Sequence, residues 1–237
     1  MIAWLHGRKE GGFMKKVLKF IGIILLVIIA FLIIHTVRNM VIMKQISKKE
    51  EQYKNVSNYY IRTTSTQGNV VDFYRKDKRY IMKLENISPT GVRKLTNYFD
   101  GEKVNTYIEA GNDKIAMLNS NGLPSKMEIR NLLDDIETKQ FIFLAMLASI
   151  RNTDLNGLKC YKIGNFLSPN ILMLDTNFEI YIEKETGLII KEQNGTFTDE
   201  NGNKEPVITD YEYQFDCVTD EDLVEPDISE YKIQENN

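Results

Sequence analysis

Residues 206–218, PVITDYEYQFDCV, are the stretch that decides the fold of this chain. Apolar or aromatic residues recur at every second position, and side chains of a β-strand point alternately to opposite faces of its sheet. The segment therefore predicts a strand in a sheet with one apolar face and one polar face. The apolar face carries Val207, Thr209, Tyr211, Tyr213, Phe215 and Cys217, and the polar face carries Asp210, Glu212, Gln214 and Asp216.

Six upstream segments also have a strand-like composition, since they are short and rich in Val, Ile, Tyr and Phe. Turn residues separate them at close intervals, as at Gln67-Gly68, Asp100-Gly101 and Gly111-Asn112-Asp113. This pattern predicts consecutive antiparallel hairpins. The segments are YYIRTTST, which begins at residue 59, VVDFYRK, RYIMKLENI, VRKLTNYF, KVNTYIEA and KIAMLNS.

Residues 127–152, MEIRNLLDDIETKQFIFLAMLASIRN, interrupt the strand pattern with a helical composition. The part from Phe141 to Ile150 is apolar on nearly every side, which is typical of a buried helix. Three more strand-like segments follow, GLKCYKIGNF, ILMLDTNFEIYIEKE and GLIIKEQNGTF, before the strand at 206–218. We therefore predict one α+β domain, with about ten strands and a helix packed on the sheet.

The N-terminal part contains one uninterrupted apolar run, FIGIILLVIIAFLII, at residues 20–34. With its flanks it covers about 31 Å as a helix, enough to cross a hydrocarbon core of about 30 Å. Basic residues precede the run, so the positive-inside rule places the N-terminus in the cytoplasm. We expect an uncleaved signal anchor in the cell membrane rather than a cleaved signal peptide, because no small residues follow the run. The predicted organisation is a cytoplasmic tail at 1–16, a transmembrane anchor at 17–37, a helical stalk or first helix at 38–55 and an extracytoplasmic domain at 56–237.

Charge changes sign along the chain. Residues 1–50 carry nine Lys and Arg against two Asp and Glu, whereas the remainder carries 21 against 31. An acidic domain lacks the basic stripe that replaces counterions on phosphates, so no nucleic-acid partner is expected. We interpret the acids at Asp220, Glu221 and Asp222 as part of a solvated strand end and tail, because the loop spacing of a calcium site is missing.

Both cysteines, Cys160 and Cys217, belong to the acidic domain. In an oxidising compartment an even count permits one disulfide, and two separately buried thiols are the alternative interpretation. Their separation in the sequence excludes a CxxC redox or metal motif.

The acidic domain contains no histidine, because His6 and His35 lie at or before the membrane segment. Catalytic Ser-His-Asp or Cys-His sites and histidine-based zinc sites are therefore excluded there. Neither P-loop spacing nor a GxSxG elbow occurs. The sequence predicts no catalytic residue, no metal site and no cofactor, and a protein that is not an enzyme.

The order of these elements resembles the LolA-like superfamily, which includes periplasmic lipoprotein carriers, LppX-type proteins and RseB-type sensors. The shared features are a membrane-proximal helix, a run of hairpins and an apolar helix before the final strands. Residues 180–195, IYIEKETGLIIKEQNG, look like the strand, turn and strand near the end of such domains. Residues 211–231, YEYQFDCVTDEDLVEPDISEY, are similar to the closing strand and acidic tail of Gram-positive members. The resemblance covers residues 55–232.

This resemblance implies a strongly curved antiparallel sheet, an unclosed β-barrel with covering helices, preceded here by one transmembrane helix. It also implies an apolar concave face that can take up acyl chains, since burying a methylene group is favourable by about 0.8 kcal/mol. The segment from Phe141 to Ile150 would then be either permanent core or a lid. As a lid it would cover a pocket lined by Phe141, Phe143, Leu144 and Leu147.

Two functions are consistent with these expectations, and both have the membrane bilayer as a partner. The first is a membrane-anchored extracytoplasmic protein that binds a lipid, a lipoprotein or another hydrophobic ligand. The second is an envelope regulatory protein, similar to RseB-type sensors, that recognises another membrane protein without holding a ligand.

Overall fold

The computed structural model describes residues 7–88, 91–120, 129, 138–165, 178–199 and 202–234. Within these ranges the chain forms a long N-terminal helix, a short second helix and one twelve-stranded sheet. The helices are α1 (Gly7–Glu50) and α2 (Thr138–Leu147). The strands are β1 (Asn58–Ser65), β2 (Asn69–Lys76), β3 (Arg79–Ser88), β4 (Gly91–Phe99), β5 (Val104–Ala110), β6 (Asp113–Ser120), β7 (Ala148–Leu155), β8 (Leu158–Asn165), β9 (Phe178–Glu183), β10 (Ile189–Thr198), β11 (Lys204–Phe215) and β12 (Lys232–Gln234).

The helix α1 continues without a break from the apolar run into the domain. Nearly all side chains from Met14 to Ile34 are exposed. Further along, full burial recurs every three or four residues, which is the spacing of one helix face. The buried residues are Asn39, Met43, Ile46 and Glu50. The last three turns of α1 therefore pack on the sheet. Among the described residues, α1 alone is long and apolar enough to cross a membrane.

The strands lie in the order β12-β6-β5-β4-β3-β2-β1-β11-β10-β9-β8-β7. Every neighbouring pair is antiparallel except β12 with β6, which is parallel. The edges are different strands, β12 and β7, so the sheet does not close on itself. The predicted fold class, an α+β curved and unclosed half-barrel preceded by an apolar helix, is confirmed.

The register sorts the side chains onto two faces of the sheet. We call the face that α1 packs against the inner face and the opposite one the outer face. Tyr59 of β1 stands opposite Phe215 of β11, and Ile61 stands opposite Tyr213, all on the inner face. From Thr209 to Phe215 the odd-numbered residues are half-buried and the even-numbered ones are exposed. The predicted alternation is therefore confirmed from Thr209 to Phe215, whereas Cys217, predicted on the apolar face, follows the strand and is exposed.

Two apolar clusters build the core on the inner face. One joins α1 and α2 to β7–β10 and is rich in isoleucine; it contains Met43, Ile46, Ala145, Ala148, Ile150, Ile163, Ile180, Ile182 and Ile189. The other lies on β1–β3 and is rich in aromatic rings; it contains Tyr59, Ile61, Phe73, Tyr80, Ile129 and Leu188. The ring centroids of Tyr59 and Phe73 are 5.9 Å apart, and those of Phe73 and Tyr80 are 5.4 Å apart.

The turn between β9 and β10 sets the position of α1 through Gly187. This residue has φ +82°, and a Cβ atom placed on it would lie 2.9 Å from the Lys49 Cβ atom and 3.1 Å from the Ile46 carbonyl oxygen. Only glycine combines that backbone conformation with so close an approach. The Lys-Glu-Thr-Gly turn at residues 184–187 therefore packs closely against the end of α1.

The acidic segment after β11 packs on the outer face. Val218 and Leu223 are buried against Ile81 of β3. The Asp220 carboxylate accepts a hydrogen bond of 2.5 Å from the Arg79 guanidinium and lies 3.2 Å from a lysine amine of β2. Asp220 and Glu221 are exposed, as expected of a solvated strand end, but the segment is also held to the sheet by its apolar residues and ion pairs.

The same segment continues along the outer face to the edge of the sheet. The Tyr107 hydroxyl donates a hydrogen bond of 2.5 Å to Glu225, and the Tyr231 hydroxyl donates one of 2.5 Å to Glu109. Burial and the hydrogen bond to Glu109 raise the pKa of Tyr231 to about 12. The segment then ends as β12, paired with β6.

The structure corrects the helix predicted at 127–152. Its helix α2 ends at Leu147, and residues from Ala148 onward form β7. The reason is a tight hairpin, since Asn156 and Gly157 both have positive φ and join β7 to β8 as a two-residue turn. Residues 127–137 lie outside the described residues, apart from Ile129.

Candidate functional site

The inner face of β3–β6 carries a row of apolar side chains that belongs to neither core cluster. Leu84 stands opposite Leu95, Leu95 opposite Ile108, and Ile108 opposite Ile115. All four side chains are half-buried. Since neighbouring strands lie about 4.8 Å apart, the row is about 14 Å long. It forms a continuous apolar strip across four strands, which we call the inner-face row.

A second row runs beside the first and mixes apolar with polar groups. It consists of Met82, Asn97, Thr106 and Met117, one from each of β3–β6. At its centre the Thr106 hydroxyl donates a hydrogen bond of 2.9 Å to the Asn97 side-chain oxygen. Both residues are half-buried, and this bond gives the Thr106 hydroxyl proton and the Asn97 oxygen a partner. They can therefore lie beside an apolar ligand without a large desolvation cost.

A cleft of about 690 Å³ lies along one side of the inner-face row, where Asn86, Arg93 and Ala110 stand opposite one another on β3, β4 and β5. Its volume falls within the usual range of small-molecule sites, about 300–1,000 Å³. Leu84 belongs both to the row and to the cleft wall, and Arg93 adds an exposed cation. The lining also includes Asn86, Gly91, Val92, Ala110 and Gly111. The arrangement joins an apolar strip to a polar, positively charged mouth.

The four residues predicted to line a pocket lie on α2, in three different environments. Phe141 packs against the cluster that joins α1 to β7–β10, whereas Phe143 and Leu144 are exposed and Leu147 is half-buried. Ala145 is the α2 residue buried in that cluster. The structure does not bring the four side chains together on one surface. A pocket beneath a displaced α2 remains a prediction.

The junction between α2 and β7 is joined to α1 by polar contacts. The Asn39 side-chain amide donates hydrogen bonds to the carbonyl oxygens of Ala145, at 2.9 Å, and Ala148, at 2.7 Å. The Arg38 guanidinium donates to the Ile150 carbonyl oxygen at 3.2 Å. The His35 Nε2 atom lies 3.0 Å from the Ala148 carbonyl oxygen. These contacts fix the position of the α2–β7 junction along the axis of α1.

The structure contains no disulfide between Cys160 and Cys217, and both thiols are free. Cys160 lies in β8, and Cys217 follows β11. With β9 and β10 between those strands, the separation is about 14 Å. A disulfide needs Cα atoms within about 7 Å, and this structure holds the two cysteines as separate thiols. Cys160 is buried, but Cys217 is exposed, because Asp216 has φ 52° and ends the strand before it.

The described parts of the chain contain no group of three His, Cys, Asp or Glu side chains arranged to hold a metal ion. The site therefore consists of apolar side chains, amides, hydroxyls and one guanidinium.

The row and the cleft were missed at the sequence level, although their residues were visible. Leu84 alternates correctly with Tyr80 and Met82 inside the predicted strand RYIMKLENI. Which residues of different strands stand opposite one another depends on the hairpin turns, and a slip of one residue would move each side chain to the other face.

Comparisons with known proteins identify similar structures but no sequence relatives. No family model matches the sequence, and a search of curated proteins finds no match. An uncharacterized conserved protein from Thermus thermophilus is similar over 81% of this chain and 98% of its own, at 12% identity and a TM-score of 0.42. The MucA/MucB complex of Pseudomonas aeruginosa matches 83% of this chain and 63% of the compared chain, at 11% identity and a TM-score of 0.31.

A DUF1329 family protein from Desulfovibrio piger is also similar, over 80% of this chain and 97% of its own, at 9% identity and a TM-score of 0.30. At these identities and TM-scores, what the neighbours bind carries no weight for this chain. The functional assignment depends on the chain's own residues.

Proposed function

We propose that α1 anchors the protein in a membrane and that the sheet domain lies on the side away from the cytoplasm. Support comes from the exposed apolar surface of α1 and from Lys15, Lys16 and Lys19 at its inner end. Cys217 is an exposed thiol in the domain, so its labelling shows on which side of the membrane the domain lies. A membrane-impermeant maleimide should label it in intact spheroplasts. Labelling that occurs only after lysis would contradict the proposed orientation.

We further propose that the domain binds a lipid-like molecule on its inner face. The observation that carries this proposal is the half-buried apolar row flanked by a cleft that Arg93 lines. The row suits an acyl chain, and Arg93 suits a carboxylate or phosphate head group. The ligand class is therefore an amphipathic lipid with an anionic head.

The energy available from such a site is sufficient for binding. Burying ten methylene groups is favourable by about 8 kcal/mol before the cost of immobilising the ligand and its chain. The site needs no catalytic group, since binding alone uses the apolar strip and one cation.

Photocrosslinking in membranes tests the proposal on the full chain. A fatty acid or phospholipid with a diazirine at the end of its acyl chain should form adducts on β3–β6 peptides. Leu95→Gln should reduce this yield several-fold, because it places an amide in the middle of the row. Thr96→Gln is the matched control, since it changes the next residue of the same strand on the outer face.

A second comparison tests the proposal that Arg93 binds the anionic head group of the lipid. Arg93→Gln should reduce labelling by anionic probes more than labelling by a neutral diacylglycerol probe. If adducts form only on α1 and α2, and neither Leu95→Gln nor Arg93→Gln changes them, the lipid-binding proposal is wrong. Recognition of another membrane protein would then be the better explanation.

A further inference from the structure

The helix α2 presents an exposed apolar surface that the binding proposal does not use. Ile142, Phe143, Leu144 and Met146 are exposed by 45%, 56%, 42% and 36%. They occupy one short helix of ten residues. Four adjacent apolar residues exposed to water are unusual in a soluble domain and mark a contact surface.

The position of α2 relative to the apolar run identifies what this surface meets. From Lys19, the last cation before the run, to Arg38, the first after it, α1 rises about 29 Å. This matches the hydrocarbon thickness of a bilayer, about 30 Å. Arg38 therefore marks the outer boundary of the hydrocarbon when Lys19 marks the inner one.

The polar contacts of α1 place the end of α2 at that same boundary. Asn39 bonds to the carbonyl oxygens of Ala145 and Ala148, and Arg38 bonds to that of Ile150. The exposed apolar residues of α2 lie within six residues of Ala148, which is about 9 Å of helix. Helices bound at a membrane interface bury their apolar face about 5–10 Å deep.

From this geometry we infer that α2 is an interfacial membrane helix, whose exposed face of Ile142, Phe143, Leu144 and Met146 lies in the outer leaflet beside α1. The occupant of the surface is the lipid bilayer itself, because Arg38 and Asn39 hold the α2–β7 junction at the outer end of the proposed span. The domain is thus attached to the membrane at two points, the spanning helix and α2. This inference rests on the proposed anchoring by α1 and is separate from ligand binding on the inner face.

Depth-dependent quenching tests the inference with the full chain in liposomes. Trp4→Phe removes the native fluorophore, and single tryptophans are then introduced by Phe143→Trp, Ile28→Trp or Ile233→Trp. Ile28 lies in the apolar run, whereas Ile233 lies on the edge strand β12 and is exposed by 56%, the same fraction as Phe143. Phospholipids brominated near the carbonyl end of the acyl chain quench fluorophores at the interface, and acrylamide quenches those in water.

We expect brominated lipid to quench the Phe143→Trp variant at least twofold more than the Ile233→Trp variant, and acrylamide to show the reverse order. Ile142→Trp should repeat this result at a second position. If the Phe143→Trp and Ile233→Trp variants behave alike, the inference is wrong.

Shielding of the Phe143→Trp variant from both quenchers would also overturn it, because a second copy of the chain would then cover α2. The Ile28→Trp variant distinguishes a failure of the proposed α1 anchor from a failure of the α2 inference alone. For that variant the probe is a phospholipid brominated near the methyl end of the acyl chain, because Ile28 lies midway between the two boundaries. If this deep bromine fails to quench the Ile28→Trp variant, the anchoring by α1 is wrong as well as the inference about α2.

Discussion

Replacing Asn39 by leucine should loosen α2 from α1 while keeping the branched shape and the number of heavy atoms of the side chain. The Asn39 side chain is fully buried and donates two hydrogen bonds to the α2–β7 junction. Each such bond contributes about 0.5–1.5 kcal/mol net, and the Ala145 carbonyl oxygen left without this donor adds a desolvation cost of about 1–3 kcal/mol. The leucine recovers part of this loss, because the buried Asn39 Oδ1 atom has no hydrogen-bond partner. We expect a net loss of about 2–3 kcal/mol.

Hydrogen exchange of the full chain in nanodiscs measures this loss locally. At about 1.4 kcal/mol per tenfold change, amides at residues 138–155 should exchange about 30–150 times faster in Asn39→Leu. Peptides from β1 and β2 should be unchanged, because they lie in the other inner-face cluster. Val41→Leu is the control, since Val41 is exposed on the opposite side of α1. Exchange within twofold of the unmodified protein would refute the role given to Asn39.

Three further predictions concern other parts of the domain. Gly187→Ala should destabilise the protein by at least about 1–2 kcal/mol in denaturant unfolding, because alanine disfavours φ +82° and its Cβ atom would meet Lys49. An unchanged unfolding midpoint would contradict the close packing of this turn against α1. In the folded protein a maleimide should modify Cys217 but not Cys160, whose pKa is raised by burial, and equal labelling of both thiols would contradict the fold around β8. Basic side chains of β2 and β3 hold the pKa of Asp220 below its usual value. Their interaction with the Asp220 carboxylate therefore stabilises the fold above about pH 3.9, and this stabilisation is lost as the pH falls further. Asp220→Asn should therefore lower the melting temperature more at pH 6 than at pH 3, and an equal change at both values would contradict this assignment.

Sequence patterns predict this fold best where a local rule and the tertiary structure agree. The strand at 204–215 shows its period of two from Thr209 to Phe215, where the odd-numbered residues are half-buried and the even-numbered ones are exposed. The end of α2 was misplaced because the run from Phe141 to Ile150 is apolar on all sides, so periodicity cannot separate a buried helix from a buried strand. The decisive signal was the Asn156-Gly157 turn, which begins a new hairpin.

The candidate site was harder to predict for a different reason. Alternation shows that Leu84 and Leu95 each lie on one face of their own strands, but it does not reveal that they stand opposite each other. That alignment depends on hairpin register, which long-range pairing and turn geometry set together. The outward face of α2 was equally hidden, because its composition resembles that of a core helix and only its attachment to Asn39 places its end near the apolar run of α1.

The most direct measurement of the central claim is mass spectrometry of lipids carried by the isolated domain. The fragment should begin at residue 38, because Asn39, Met43 and Ile46 are part of the core and a shorter fragment would lose them. Exported to the cell envelope and purified without detergent, it should yield stoichiometric anionic lipid, and Leu95→Gln should remove that lipid while Thr96→Gln retains it. A folded domain that carries no lipid, or one whose lipid content is the same in both variants, would contradict ligand binding on the inner face.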